Sequence, residues 1–387
     1  MRLEGIKILD MTRLIPGPYA TMLLADLGAE VIKIEDPETG DYARDMEPSI
    51  GGEGAPFLML NRNKKAIEID LKKEEGKEIF MNLAEDADVV FEQFRPGVVE
   101  KLKVDYDSVR EVNSDIIYCS LSSYGQTGPL KDKGGHDLNY ASEGGLIDIT
   151  RSKDGKPAIP GFPISVMTAG LFSAFSIINA LLDRELNDSR GEYIDISILD
   201  CLISFSTGIA WQPLLEEEVP RARETELTGR YPFYDIYETK DGRYFALAAY
   251  EEKYWKNFCE LIGREEFKDQ QFSEKKERIR KIIEEEFKKK TFEEWKKISK
   301  ENEVMISPVN NLKEVFESQH VEERDLIGSL DFSGMEIDQI GFPARSKKDI
   351  DEFRTPPPQK GEHTREILND AGYTEEEIER LEDRGVI

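Results

Sequence analysis

Residues 6–34 read IKILDMTRLIPGPYATMLLADLGAEVIKI, and this run decides the fold. Ile6–Asp10 is a short apolar segment that reads as a buried strand. Pro18–Leu27 has helical spacing and stops at Gly28, a residue that ends helices without strain. Val31–Ile34 is a second apolar strand. Strand, helix and strand within about thirty residues make a βαβ unit. The alternation continues with strand Ala66–Ile69, helix Glu74–Ala84, strand Asp88–Phe91, helix Val98–Val112 and strand Ile116–Leu121. The expectation is an α/β fold with a Rossmann-like parallel sheet covered by helices. Such sheets bind ligands at the carboxyl ends of their strands. The loops after Asp10, Ile34, Ile69, Phe91 and Leu121 should therefore share one neighbourhood.

Beyond Ala141 the pattern changes. Met167–Glu185 reads as a long buried helix, Ile194–Ile198 as a strand and Leu199–Trp211 as another apolar helix. Phe233–Glu238 and Tyr244–Ala248 flank Lys240-Asp241-Gly242, a hairpin signal. Tyr254–Glu301 is rich in lysine and glutamate with one apolar stripe, as expected for helices of a smaller α+β domain with a solvated outer face. Thr355-Pro-Pro-Pro358 reads as an extended linker before a closing helix near Thr364. At 387 residues the chain exceeds one average domain. The expected division is a large domain over 1–215, a small one over 225–325, and a C-terminal segment, 326–387, returning to the large domain.

Lys and Arg number 52 against 79 Asp and Glu, a formal net charge of −27. That sign argues against nucleic acid or an anionic membrane as partner. It reflects either a well-solvated surface or a salty cytoplasm, and composition leaves both open. Cys119, Cys201 and Cys259 are widely spaced, which suggests a reducing compartment with neither disulfides nor a zinc site. With three histidines no metal cluster is expected, and no motif calls for a prosthetic cofactor. The opening MRLEGIKILDMTRL has no signal-peptide pattern. The best apolar run, Leu171–Leu182, is interrupted by Ser173, Ser176 and Asn179, so no membrane span is expected. These features together predict a cytoplasmic protein.

GxGxxG, Walker, HExxH and GxSxG signatures are all missing. The one histidine placed like a site residue is His136, in Gly134-Gly-His-Asp137, after the loop that leaves strand Ile116–Leu121. An imidazole next to an acid is suited to proton transfer near neutrality. The alternative is a histidine that only caps the helix beginning near Asn139. His320 and His363 read as helix-terminal structure.

Several stretches, in order along the chain, resemble the class III CoA-transferase family (carnitine dehydratase and bile-acid-inducible F type). They include Asp10-Met-Thr-Arg-Leu-Ile-Pro-Gly-Pro18, Leu27-Gly-Ala-Glu-Val-Ile-Lys-Ile-Glu35 and Asn61-Arg-Asn-Lys-Lys-Ala-Ile-Glu-Ile-Asp-Leu-Lys72. Phe94-Arg-Pro-Gly97, Gly135-His-Asp-Leu-Asn-Tyr140, Ala180-Leu-Leu-Asp-Arg-Glu185, Pro232-Phe-Tyr-Asp235, Ser307-Pro-Val309 and Gly361-Glu-His-Thr-Arg-Glu-Ile-Leu368 follow. The Gly-His-Asp-x-Asn-Tyr element is most similar to the branch containing α-methylacyl-CoA racemase.

The resemblance implies an acyl-CoA thioester enzyme, with coenzyme A arriving as part of the substrate, and a homodimer of interlocked, ring-like subunits. It assigns coenzyme A contacts to Ile15, Pro16, Ile69, Lys72, Gln93, Phe94, Arg95 and Lys101. Asp36 stands where some relatives carry an arginine. His136 and Glu251 would form the base, with Asp137 beside them at the site. The family's further aspartate, a base in racemases and a nucleophile in transferases, falls on Ser165 or Val166, and no carboxylate lies between Asp154 and Asp183. Three activities follow as expectations. The first is racemase- or epimerase-like α-proton transfer. The others are CoA transfer between carboxylic acids and coenzyme A binding without catalysis.

Overall fold

The computed structural model describes residues 2–152, 154–187, 189–344 and 353–387. Residues 345–352 of the expected C-terminal segment lie outside the described residues. The chain forms two compact units, one of Met1–Gly144, Pro160–Ser206 and Gln319–Ile387, the other of Gly145–Ile159 and Thr207–Ser318.

The first unit is built on six strands: β1 (Lys7–Met11), β2 (Glu30–Glu35), β3 (Lys64–Glu68), β4 (Val89–Glu92), β5 (Ile117–Ser122) and β6 (Tyr193–Ser197). They pair in the order β3-β2-β1-β4-β5-β6, all parallel, with Leu9 in register with Ile32 and Val90. Successive side chains of a strand point to opposite faces, so each strand feeds two cores. Ile8, Val31, Val89, Phe91 and Cys119 pack on one face, while Leu9, Ile32, Val90 and Tyr118 pack on the other. Burial on both faces is why these strands read as continuous apolar runs.

Helices α1 (Pro16–Asp26), α2 (Glu74–Glu85), α3 (Val98–Leu102), α4 (Tyr106–Val112), α5 (Asp137–Glu143), α6 (Ile164–Asn187) and α7 (Ile198–Phe205) complete most of this unit. α1 and α6 share one core with the first face, and they approach closely at Gly170, where an added Cβ would lie 2.5 Å from the Pro16 carbonyl oxygen. α2 joins Leu368 and Ile378 on the other face.

Four expectations need correction. The single helix over Val98–Val112 is two, because Lys103 turns left-handed (φ 58°) and Asp105 starts α4 by accepting the Ser108 amide at 3.2 Å. α7 ends at Phe205 and does not reach Trp211. α6 has 24 residues and is long and apolar enough to cross a membrane, though ten of them are buried in the protein. The Pro-rich stretch is anchored, since Asn63 Oδ1 accepts the Arg354 and Thr355 amides and Arg44 Nη1 donates to the Pro358 carbonyl.

The second unit holds an antiparallel sheet of β7 (Tyr234–Glu238), β8 (Tyr244–Ala248) and β9 (Ile306–Pro308), ordered β9-β8-β7. Its helices include α8 (Glu252–Leu261), α9 (Lys276–Phe287) and α10 (Phe292–Glu301). The hairpin turn is the one read from Lys240-Asp241-Gly242, with Gly242 left-handed at φ 78°. The Asp241 carboxylate also accepts the Phe292 amide at 3.0 Å, which ties the turn to the start of α10. Phe233, Tyr237, Phe245, Trp255, Phe287 and Trp295 form a largely aromatic core.

Candidate active site

Two cavities open at the carboxyl edge of the parallel sheet, at the switch point between β1 and β4 where such sheets bind ligands. The larger, about 330 Å³, is walled by Ile15 and Pro16 after β1, Gln93, Phe94 and Arg95 after β4, and His136 and Asp137. The smaller, about 190 Å³, is walled by Ile34, Asp36, Ile69, Lys72 and Phe94. Phe94 lines both.

The walls are set by local rules. Gly17 lets α1 begin against the end of β1, where an added Cβ would come within 2.1 Å of Thr12 Cβ. The Gly17 amide donates to Gln93 Oε1 at 3.2 Å, fixing the first residue of the β4 loop. The Arg95 guanidinium lies against Gly134, whose added Cβ would be 2.9 Å from Nη2, so Arg95 joins the β4 loop to the His136 loop. Among the described residues Arg95 makes no ion pair, which leaves it open to an anion.

Lys72 is 67% exposed and pairs with Asp36 at 2.8 Å. Burial raises the Asp36 carboxyl, but the Lys72 ammonium and the Thr39 and Glu38 amides outweigh that and hold it at about 2. Lys101 is exposed on α3 and lines neither cavity. Beneath the β4 loop, Glu92 is only 1% exposed. It accepts the Phe94 amide at 2.6 Å and the Ser120 hydroxyl, and burial pushes its carboxyl up to about 7.

The His136 loop is fixed from three sides. The Tyr140 hydroxyl donates to the Gly135 carbonyl at 2.6 Å and lies 2.8 Å from Ser123 Oγ. Asn139 Oδ1 accepts the His136 amide at 3.0 Å. The Asp137 carboxylate accepts the Val166 amide at 3.1 Å, and Ser165 Oγ donates to the Asp137 carbonyl at 3.3 Å. His136 does occupy the N-cap position of α5, yet its exposed ring also lines the cavity. One residue thus holds the cap position and a place in the cavity wall. Glu251 belongs to the second unit, exposed at the N-cap position of α8.

Arg13 escaped the sequence reading. It lines the smaller cavity over the Phe94 ring, 5.4 Å from its centroid. Its place just past β1, inside a quoted motif, was the available signal. Other charged motif residues are structural. Arg62 clasps Asp26 through Nε at 3.0 Å and Nη2 at 2.6 Å, and Lys64 meets Asp10 at 3.3 Å, all four buried. His363 accepts the Ala66 amide at 3.3 Å, a structural role as expected.

A family model described as CoA-transferase family III matches residues 3–364. The chain belongs to CoA-transferase family III. It is an enzyme of that family, whose substrates are CoA thioesters. It is 34% identical over 397 residues to the succinyl-CoA:glutarate CoA-transferase of Homo sapiens, covering 100% of this chain and 90% of that protein. It is 31% identical over 395 residues to the alpha-methylacyl-CoA racemase of Homo sapiens, covering 100% and 98%. The crystal structure of a CAIB/BAIF family protein from Brucella suis matches with a TM-score of 0.83 at 27% identity, over 95% of this chain and 99% of that one. Both transferases and a racemase thus stand at comparable distance.

Proposed function

We propose that the protein catalyses α-proton transfer on an acyl-CoA thioester, as a racemase- or epimerase-like member of the family. The observation that carries this reading is that His136 and Asp137 wall the same cavity as Gln93, Phe94 and Arg95, while α6 opens on Ser165 and Val166 without a carboxylate of its own. Coenzyme A would place phosphates near Arg95 and Lys72, with Lys101 reachable from solvent and the adenine end near Phe94 and Ile69. His136 takes the α-proton, and the Asp137 amide donates to the enolate oxygen.

A second reading is CoA transfer with a displaced nucleophile. It is favoured by the Asp137 carboxylate in the cavity wall and by relatives named for succinyl-CoA, glutarate and mesaconate. The Asp137 carboxylate would attack the thioester carbonyl and expel CoA thiolate, leaving a mixed anhydride. Incubation with a 2-methylacyl-CoA in heavy water separates the readings. Deuterium at the α-carbon without protein modification supports proton transfer. A borohydride-trapped adduct on Asp137 replaces it with transfer. Tight coenzyme A binding with neither result leaves a binding protein.

We also propose a cytoplasmic homodimer. The exposed apolar face of α6 supports the dimer, and the three buried free cysteines suit a reducing compartment.

A further inference from the structure

The second unit carries a cavity of its own, about 380 Å³, lined by none of the residues discussed so far as catalytic. Arg151 and Arg223 line it, and its one acidic lining residue is Asp235. That carboxylate is 8% exposed and already shared by two guanidiniums. Arg223 Nη2 meets it at 2.8 Å and Arg280 Nη1 contacts the same oxygen. A single acid between two arginines satisfies both only in part, and the Arg223 side chain remains 30% exposed with Nε–H and outer Nη hydrogens to offer. Arg151 pairs with Asp148, which lines an adjoining cavity together with Glu224 and Arg221, the last a cation without an ion pair among the described residues.

The opposite wall is apolar. Ile236, 48% exposed, and Ala246 and Ala248 form it from the outer face of β7 and β8, with Leu227, 58% exposed, beside them. Guanidinium at one end and hydrocarbon along the side match a carboxylate on a short aliphatic chain. A phosphate dianion would gain nothing from that wall. We propose that this cavity binds a small aliphatic carboxylic acid, its carboxylate on Arg223 and its chain along Ile236 and Ala246. The site stands whether or not the chain turns over thioesters.

Calorimetry on the full-length protein, with no coenzyme A present, tests this with glutarate, hexanoate and inorganic phosphate at matched ionic strength. Both carboxylates should bind, and phosphate about ten-fold more weakly or not at all. Arg223→Gln should weaken carboxylate binding by about ten-fold while the protein stays folded, because Asp235 keeps Arg280. Ala246→Leu fills the apolar wall without touching a charge and should weaken it similarly, which keeps the test alive if Arg223→Gln misfolds. Three results would overturn the site. They are no carboxylate binding at millimolar concentration, binding unchanged in the folded variants, or phosphate binding as tightly as glutarate. α-Hydrogen exchange with no carboxylate binding would sink this site alone, and the reverse would sink only the proton-transfer reading.

Discussion

The Asp137 carboxylate accepts the Val166 amide at 3.1 Å, so the opening turn of α6 receives its negative charge from a residue 29 positions earlier in the chain. The first amides of a helix lack partners inside it, and their dipoles favour an anion. Ser165 and Val166 leave that demand unmet locally, and Asp137 meets it from the cavity wall. Asp137→Asn keeps an oxygen for the Val166 amide and removes only the charge. Its melting temperature should therefore change little, whereas Asp137→Ala should cost about 1 kcal/mol, the scale of a lost helix cap. If His136 is the base, α-hydrogen exchange should survive Asp137→Asn within about ten-fold (1.4 kcal/mol). Abolished exchange in a stably folded Asn variant would move the chemistry to Asp137.

Coenzyme A affinity should respond oppositely to two charge changes. Arg95 makes no ion pair among the described residues, so Arg95→Ala should lose about 1.5–3 kcal/mol of binding, the scale of a hydrogen bond to a charged group. Asp36, held at about 2, stays ionised and keeps Lys72 turned toward itself. Asp36→Asn should free that ammonium for a phosphate and tighten binding by about two- to five-fold, a modest gain because the pair is exposed. Titration calorimetry reads both. An unchanged affinity in Arg95→Ala would remove Arg95 from the site.

Glu92 should make stability fall as pH rises. Its folded carboxyl titrates at about 7 against an ordinary 4.5, so the folded state holds the proton more tightly than the unfolded chain. The stabilisation is complete below about pH 4.5 and is lost as pH climbs through 7, roughly 3 kcal/mol in all. Glu92→Gln resembles the protonated acid in shape and should erase this slope. Denaturant melts of both proteins from pH 5 to 8 check it, and parallel curves would place the pH response elsewhere.

The parallel sheet was legible because its strands are buried on both faces and leave apolar runs, as in Val89–Phe91 and Ile117–Cys119. The walls of the larger cavity were legible for a related reason: parallel strands deliver their following loops to one edge. What stayed hidden depends on partners distant in sequence. Arg62 and Asp26 are 36 residues apart, and nothing local distinguishes that buried pair from a phosphate-binding arginine. The left-handed turn at Lys103 interrupts a stretch whose apolar spacing continues on both sides, so periodicity alone joined α3 to α4. Lys101 has the right position in sequence but projects from α3 into solvent.

A dimer should form through the outer face of α6. Leu171, Phe175, Leu182 and Leu186 recur at helical spacing and are 47%, 65%, 51% and 70% exposed. Phe172 on the same helix packs edge-on against Phe205 of α7, ring centroids 6.0 Å apart, which extends the apolar surface. Monomers seldom expose so continuous a strip. Light scattering should give twice the chain mass, and Phe175→Glu should shift the protein toward monomer or aggregate. A concentration-independent wild-type monomer, in salty and dilute buffer alike, would refute the assembly.

Proton transfer should be confined to one face of the substrate. His136 stands in the wall of the larger cavity, while the residues opening α6 supply no carboxylate of their own and the Asp137 oxygen nearest them is engaged by the Val166 amide. A lone base returns a proton to the face from which it took it. One enantiomer of a 2-methylacyl-CoA should therefore exchange its α-hydrogen in heavy water with retained configuration, while the other stays inert. His136→Ala should abolish this exchange. Interconversion of both enantiomers at comparable rates would demand a second base, and Asp137 would be the first residue to test. Exchange that survives His136→Ala would displace the base from this cavity altogether.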